Sequence, residues 1–442
     1  MGVGVGDPRW RGGVLVFHDA ARRTTARDAV AGGLESGWHV LQAVSSRADR
    51  RIRLRRTAYV QPDLLRVAGP VMMMPSLQQK VQGVLDELVD SGAETGLQIA
   101  VFHQGARVVD AVAGVADSRT GRKAAPETPV FSFSAGKVMT SLIAHLLVRD
   151  GVVGYDTPVA DVWPEFGARG KATATLRHVL THSAGVPAMP RGIGPADLTD
   201  WSRVCGAIAD AEPRWRPGTE TGYHSFTYGF LVGEVARRAT GKPMRQLLHE
   251  WVAAPLGLDG DLYFGVPRAD LTRLARLEDS VPPPTAPLDG DAILAPWEMQ
   301  PTAAMGNSEE ILLADIPSVG TFTARGIAAM NAAVLDGRLI DSHQLHEVTA
   351  VAFEGTDQVF GNPARLALGY PLGRIGTRPD ETPTTFGWIG GGGSYVYADT
   401  ATGISFAMTK TRLTPHFDTA RRLADLITAE IPTCLSMDTK RP

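Results

Sequence analysis

The segment Phe131-Ser-Phe-Ser-Ala-Gly-Lys137 places Ser134 and Lys137 three residues apart, directly before the apolar stretch Val138–Val148 and a Gly151 stop. At a helix start, positions i and i+3 share a face, so the lysine amine can reach the serine hydroxyl. The helix N-terminus also sets a positive potential beside any oxyanion formed there. A serine hydroxyl is a weak nucleophile until an adjacent base takes its proton, and a partly buried lysine with a lowered pKa is such a base. Serine acyl chemistry is therefore one reading of this spacing. A plain capping serine followed by a solvated lysine is the other, and context has to decide between them. Gly-x-Ser-x-Gly is absent from the chain, which disfavours the nucleophile turn of the α/β-hydrolases.

Metal chemistry has weaker support. His178 and His182 are four apart, but Val179 stands where His-Glu-x-x-His needs its glutamate, so no zinc site is expected. Cys205 and Cys434 are too few and too distant in sequence for a zinc site or a disulfide framework. No metal and no organic cofactor is expected. Arg412 could meet an anionic group of a substrate, or simply be solvated.

The elements that must carry Ser134 and Lys137 follow from periodicity. Leu77, Val81, Val84, Leu85 and Leu88 recur at helical spacing and Ser91-Gly92 closes the segment, which predicts a helix from about 76 to 91. Leu97-Gln-Ile-Ala-Val-Phe102 and Arg107-Val-Val-Asp-Ala-Val-Ala113, separated by Gln104-Gly105, predict a hairpin. Between about 140 and 345 helical stretches, such as 229–239 and 244–252, alternate with loops rich in Pro and Gly, including Pro282-Pro-Pro284. Strand patterns return at Ser394–Ala398 and Ile404–Thr409, and Phe417–Ile431 closes the pattern as a helix with Leu423, Leu426 and Ile427 on one face. Strands at both ends with helices between predict one sheet assembled from both termini.

Composition bounds the class of protein. The 442 residues are 44% hydrophobic and 21% charged, which excludes collagen, coiled coil and wholesale disorder. A formal charge of -3 offers no general attraction to nucleic acid or an anionic membrane. No run of about 18 apolar residues is present, and the start of the chain lacks the basic-then-apolar layout of a secretory signal, so a cytoplasmic location is expected. Residues 1–71 hold 12 Arg, no Lys and six acidic residues, a local charge of +6 that leaves -9 for the other 371. This Arg-rich segment is expected to be a poorly ordered extension, with residues 72–442 as the catalytic domain.

Further landmarks decide the context. His178-Val-Leu-Thr-His-Ser-Ala-Gly-Val-Pro187 resembles the Leu-Leu-Thr-His-Thr-Ser-Gly-Leu stretch of class C β-lactamase-like serine hydrolases. Pro217-Gly-Thr-Glu-Thr-Gly-Tyr-His-Ser225, Tyr228-Gly-Phe-Leu-Val-Gly-Glu-Val235, Thr240-Gly241, Pro255-Leu-Gly257 and Pro317–Ala328 follow in the order of that family. The resemblance spans about 76–430. It implies an α+β, β-lactamase/penicillin-binding-protein-like fold: an antiparallel sheet flanked by helices (about 76–140 and 345–432) with an inserted, mainly helical region (about 141–344). It also implies that Ser134 is the nucleophile, Lys137 its general base and Tyr223 the proton relay to the leaving group. A phenol beside a lysine ammonium is expected to have a lowered pKa.

Two positions depart from the family pattern. Ser225 stands where the Tyr-x-Asn motif has its asparagine, and Trp388-Ile-Gly390 stands where the third motif carries Lys or His. Without that cation the cleft has nothing there to pair with a carboxylate, and Trp388 offers apolar area and one N–H instead. Tryptophan here is similar to family VIII carboxylesterases and polyketide side-chain acyltransferases. Ile389, Gly390 and His224 join Ser225 and Trp388 as expected substrate contacts, with His224 at the pocket rim. The N–H groups of Ser134 and Gly391 are expected to form an oxyanion hole. The partners implied are a small-molecule acyl donor and water, an alcohol or an amine as acceptor.

Overall fold

The computed structural model describes residues 15–17, 39–44, 53–56, 75–282, 300–378 and 380–431. The chain divides into two units, Met1–Met74 and Pro75–Pro442. In the first, Leu15–Phe17, His39–Val44 and Arg53–Arg56 form an antiparallel three-stranded sheet. The rest of the Arg-rich 1–71 segment lies outside the described residues, as do Pro283 and Pro284 and Cys434.

The second unit is built on a six-stranded antiparallel sheet. Its order is Thr385–Ile389, Tyr395–Asp399, Ile404–Lys410, Gly96–His103, Ala106–Asp117 and Arg122–Lys123. Both ends of the sequence thus meet at the sheet's centre, where Ile404–Lys410 pairs with Gly96–His103. Every residue of Ile404–Lys410 is buried, as expected for a strand covered on both faces. The helices Leu77–Asp90 and Asp418–Glu430 cover one face. The first is closed by a capping box between Ser76 and Gln79, and buries Val81, Leu85 and Leu88. Helix Ala324–Leu335 covers the other face.

The helical part positions the cleft. Helix Lys137–Arg149 is buried along nearly its whole length and packs against helix Thr227–Thr240. The predicted 244–252 helix is α-helical over Met244–Leu248 and widens to a π-helical turn over His249–Ala253. A hairpin not visible in the sequence pattern, Phe353–Thr356 with Pro363–Leu366, stands beside the cleft. Its strands are short and largely exposed, so they carry no hydrophobic alternation to betray them.

Candidate active site

Ser134 lies in the 3₁₀ turn Phe133–Gly136 that feeds helix Lys137–Arg149. The turn is held by short strand pairing, Val130–Phe131 with Thr321–Phe322. Ser132 donates its N–H to the Gly320 carbonyl (2.8 Å), and Gly320 donates back to the Phe133 carbonyl (3.1 Å). Two local features make the turn tight. Phe133 has φ of 47°, a left-handed conformation costly for a non-glycine residue. A Cβ on Gly136 would come within 2.3 Å of the Gly320 nitrogen, so only glycine permits this approach.

Lys137 is wholly buried. Its Nζ lies 3.1 Å from Ser134 Oγ and donates to the Ser318 carbonyl at 2.9 Å. No carboxylate among the described residues pairs with it, and burial holds its pKa well below the usual lysine range. A neutral amine keeps a lone pair, and the one group in contact that can deliver a proton to it is the Ser134 hydroxyl. Tyr223 closes the triad from the helical side, its phenol donating to Ser134 Oγ at 2.7 Å. The expected lowering of the Tyr223 pKa is corrected here. Burial pushes it up to about 12, outweighing the hydroxyls of Ser134 and Ser225, and the nearby Asp357 carboxylate acts in the same direction as burial. Burial thus favours the protonated phenol and the neutral amine.

The opposite wall is the end of strand Thr385–Ile389 and the glycine loop that follows. Gly390 sits so close to the nucleophile turn that a Cβ would lie 2.1 Å from the Ser132 carbonyl. The Gly391 N–H has no hydrogen-bond partner among the described residues, so it is free to join Ser134 in binding an oxyanion. Trp388, Ile389, Gly390, Gly391 and Ser225 all line one cavity of about 950 Å³ that opens over Ser134. Its other walls are chiefly apolar, including Phe226, Leu366, Leu372 and Ile375.

Two expected contacts differ. Trp388 is buried with its indole N–H donated to the Gly369 carbonyl at 2.8 Å, so it presents ring surface but no donor to the cleft. His224, expected at the rim, is fully buried behind it. Its Nε2 accepts the Val186 N–H (3.1 Å) and its Nδ1 contacts the Gly222 carbonyl (2.7 Å). Burial lowers its pKa to about 4, so it stays neutral and braces the Tyr223 segment instead of touching substrate. The histidine that does line the cavity is His182, whose Nδ1 accepts the His224 N–H at 3.0 Å. Arg412 donates to the Gly92 carbonyl outside the cavity; the arginines that line it are Arg365 and Arg374. Among the described residues no group of three or more His, Cys, Asp or Glu is placed to hold a metal ion.

Sequence reasoning missed Asp357 and Ser318. The Asp357 carboxylate accepts the Tyr223 N–H at 2.9 Å across 134 residues of chain, a separation no local pattern reports.

The family model described as Beta-lactamase matches residues 81–430. The chain belongs to the beta-lactamase family. The family's relatives include the esterase/beta-lactamase LipL of Mycobacterium tuberculosis, 34% identical over 339 residues, covering 72% of this chain and 77% of LipL. A family VIII carboxylesterase superposes with a TM-score of 0.72 at 28% identity, covering 80% of this chain and 97% of its own. A penicillin-binding protein homologue from Caulobacter crescentus gives 0.70 at 31% identity, covering 81% and 97%. These likenesses make the protein a serine-dependent acyl-transfer enzyme of the family's fold. Among the described residues no helix is long and apolar enough to cross a membrane.

Proposed function

We propose that the protein is a carboxylesterase that works through an acyl-Ser134 intermediate on small, largely apolar esters. The observation that carries this reading is the Ser134 hydroxyl held between a buried amine, with no carboxylate partner among the described residues, and a protonated phenol, beneath a mainly apolar cavity. Ser134 Oγ attacks the ester carbonyl carbon while its proton passes to Lys137. The N–H groups of Ser134 and Gly391 take the developing oxyanion, each worth about 2.7–4 kcal/mol of transition-state stabilisation. As the carbonyl re-forms, the bond to the alcohol oxygen breaks and Tyr223 protonates that oxygen, regaining its proton from Lys137. Water then attacks the acyl carbonyl, its proton going to the Tyr223–Lys137 pair; as the carbonyl re-forms, the bond to Ser134 Oγ breaks, that oxygen takes the proton back from the pair, and the carboxylic acid leaves.

Three features favour esters over penicillins. The third-motif cation is replaced by Trp388, Ser225 is shorter than the family's asparagine, and the cavity is mainly apolar. The name of the carboxylesterase neighbour agrees with this choice, and that of LipL, an esterase/beta-lactamase, is compatible with both. Transfer of the acyl group to an alcohol or amine uses the same first step, and the ratio of transfer to hydrolysis with added acceptors separates the two.

The test is the intact mass of wild type and Ser134→Ala after brief exposure to p-nitrophenyl acetate or to a penicillin. An acetyl adduct on the wild type alone supports the proposal. A stable penicilloyl adduct without ester turnover would replace it with penicillin binding.

A further inference from the structure

Among the described residues Phe360 is the most exposed large hydrophobic side chain, at 63%, yet it stands at the cleft. Its ring stacks on that of Tyr223, with centroids 5.7 Å apart and planes 27° from parallel. A single exposed aromatic side chain needs no explanation by itself. This one differs because its main chain is tied to the same group that holds the tyrosine. Asp357, itself buried, accepts the Tyr223 N–H on Oδ2 (2.9 Å) and the N–H groups of Val359 (2.8 Å) and Phe360 (2.9 Å) on Oδ1. Gln358 donates its N–H to the Thr221 carbonyl at 2.8 Å, and Gly361 closes the turn on the Asp357 carbonyl. The loop also needs Gly222, where a Cβ would lie 2.9 Å from the Val359 side chain. The main chain at Phe360 and at Tyr223 is thus tied to one carboxylate.

Direction follows from the chemistry. Whatever group Tyr223 protonates must lie against its hydroxyl, and in ester cleavage that group is the departing alcohol. An aromatic ring stacked on Tyr223 and open to solvent borders the path of that alcohol, with face and edge available for stacking.

We propose that Phe360 is a specificity-determining residue that forms a platform for the alcohol portion of the substrate, so preferred esters carry a flat aromatic or broad apolar alcohol. This rests on the esterase reading. It is tested with benzyl acetate and ethyl acetate, which share one acyl group and hence one acetyl-enzyme. Their kcat/KM values therefore differ only through binding and acylation. The expected result is that Phe360→Ala lowers kcat/KM for benzyl acetate about tenfold and for ethyl acetate less than about twofold, while Phe360→Tyr keeps the wild-type ratio. An equal fall for both esters, or an unchanged ratio, overturns the platform. A second arm does without turnover: the affinity of Ser134→Ala for benzyl alcohol, followed by ligand-observed NMR, falls several-fold when Phe360→Ala is added. Wild type inert to both esters would refute the esterase reading, whereas undiminished benzyl alcohol affinity would refute the platform.

Discussion

Of the three buried lysines among the described residues, Lys137 and Lys410 stand in two regions of this molecule and meet opposite surroundings. At the cleft, Lys137 touches Ser134 and the Ser318 carbonyl, and among the described residues no carboxylate pairs with it. At the end of the central sheet, Lys410 pairs with Glu94 at 2.5 Å, with Thr414 and Thr419 completing the cluster. Burial lowers the pKa of both, but at Lys410 the Glu94 carboxylate opposes that shift, and at Lys137 nothing does. Burial alone therefore does not set the state of a lysine; what stands beside the amine does. A carboxylate partner favours the charged amine at Lys410, whereas the surroundings of Lys137 favour the neutral one.

The comparison breaks most sharply on exchange of each lysine for methionine. Lys137→Met is expected to lower ester kcat/KM by about 10⁴-fold or more while the denaturation midpoint holds or rises, because an unpaired buried amine is replaced by an apolar chain. Tyr223→Phe removes the proton donor and is expected to cost about 10²–10⁴-fold in the same assay with the fold unchanged. Lys410→Met does the reverse. It strands Glu94 and is expected to cost about 3–5 kcal/mol in denaturant unfolding, while Lys410→Met combined with Glu94→Leu recovers most of that loss. A Lys137→Met protein that unfolds, or a Lys410→Met protein of full stability, would end the contrast.

pH sharpens the same contrast. The base must be unprotonated, so kcat/KM rises with pH as Lys137 loses its proton and levels off well below the ordinary lysine pKa of 10.5. Tyr223 must stay protonated, and with its pKa near 12 the phenol causes no alkaline fall in the range where the protein is ordinarily assayed. A plateau reached only near pH 10 would mean that the amine is not desolvated as described. The smallest effect expected is for Trp388→Phe. It removes the N–H to the Gly369 carbonyl, which still accepts from Ser141 at 2.8 Å, so about 1 kcal/mol of stability is lost.

Much of this was legible in the residues. The hairpin, the helix Leu77–Asp90, the closing helix Asp418–Glu430 and the sheet joined from both termini follow from periodicity that burial on a sheet enforces. The Ser134, Lys137 and Tyr223 motifs were equally plain, because their spacing within short segments is a local property. The hairpin beside the cleft was not, since its exposed strands carry no alternation. His224 was misplaced for a related reason: adjacency to Tyr223 in sequence says nothing about which way a side chain turns, and this one turns inward to Val186 and Gly222.

What the sequence determined by itself is the chemistry at hand: a serine and a lysine three apart, a tyrosine in its motif, glycines where backbone must approach, and a tryptophan where a cation would sit. The state of those groups came from the fold. Whether Lys137 is a base, whether Tyr223 is a donor, and whether the indole N–H of Trp388 is free depend on desolvation and on partners such as Ser318, Gly369 and Asp357. Those partners arrive from segments remote in the chain, and electrostatic energy depends on distance in space and on the surrounding medium, neither of which is written in local order.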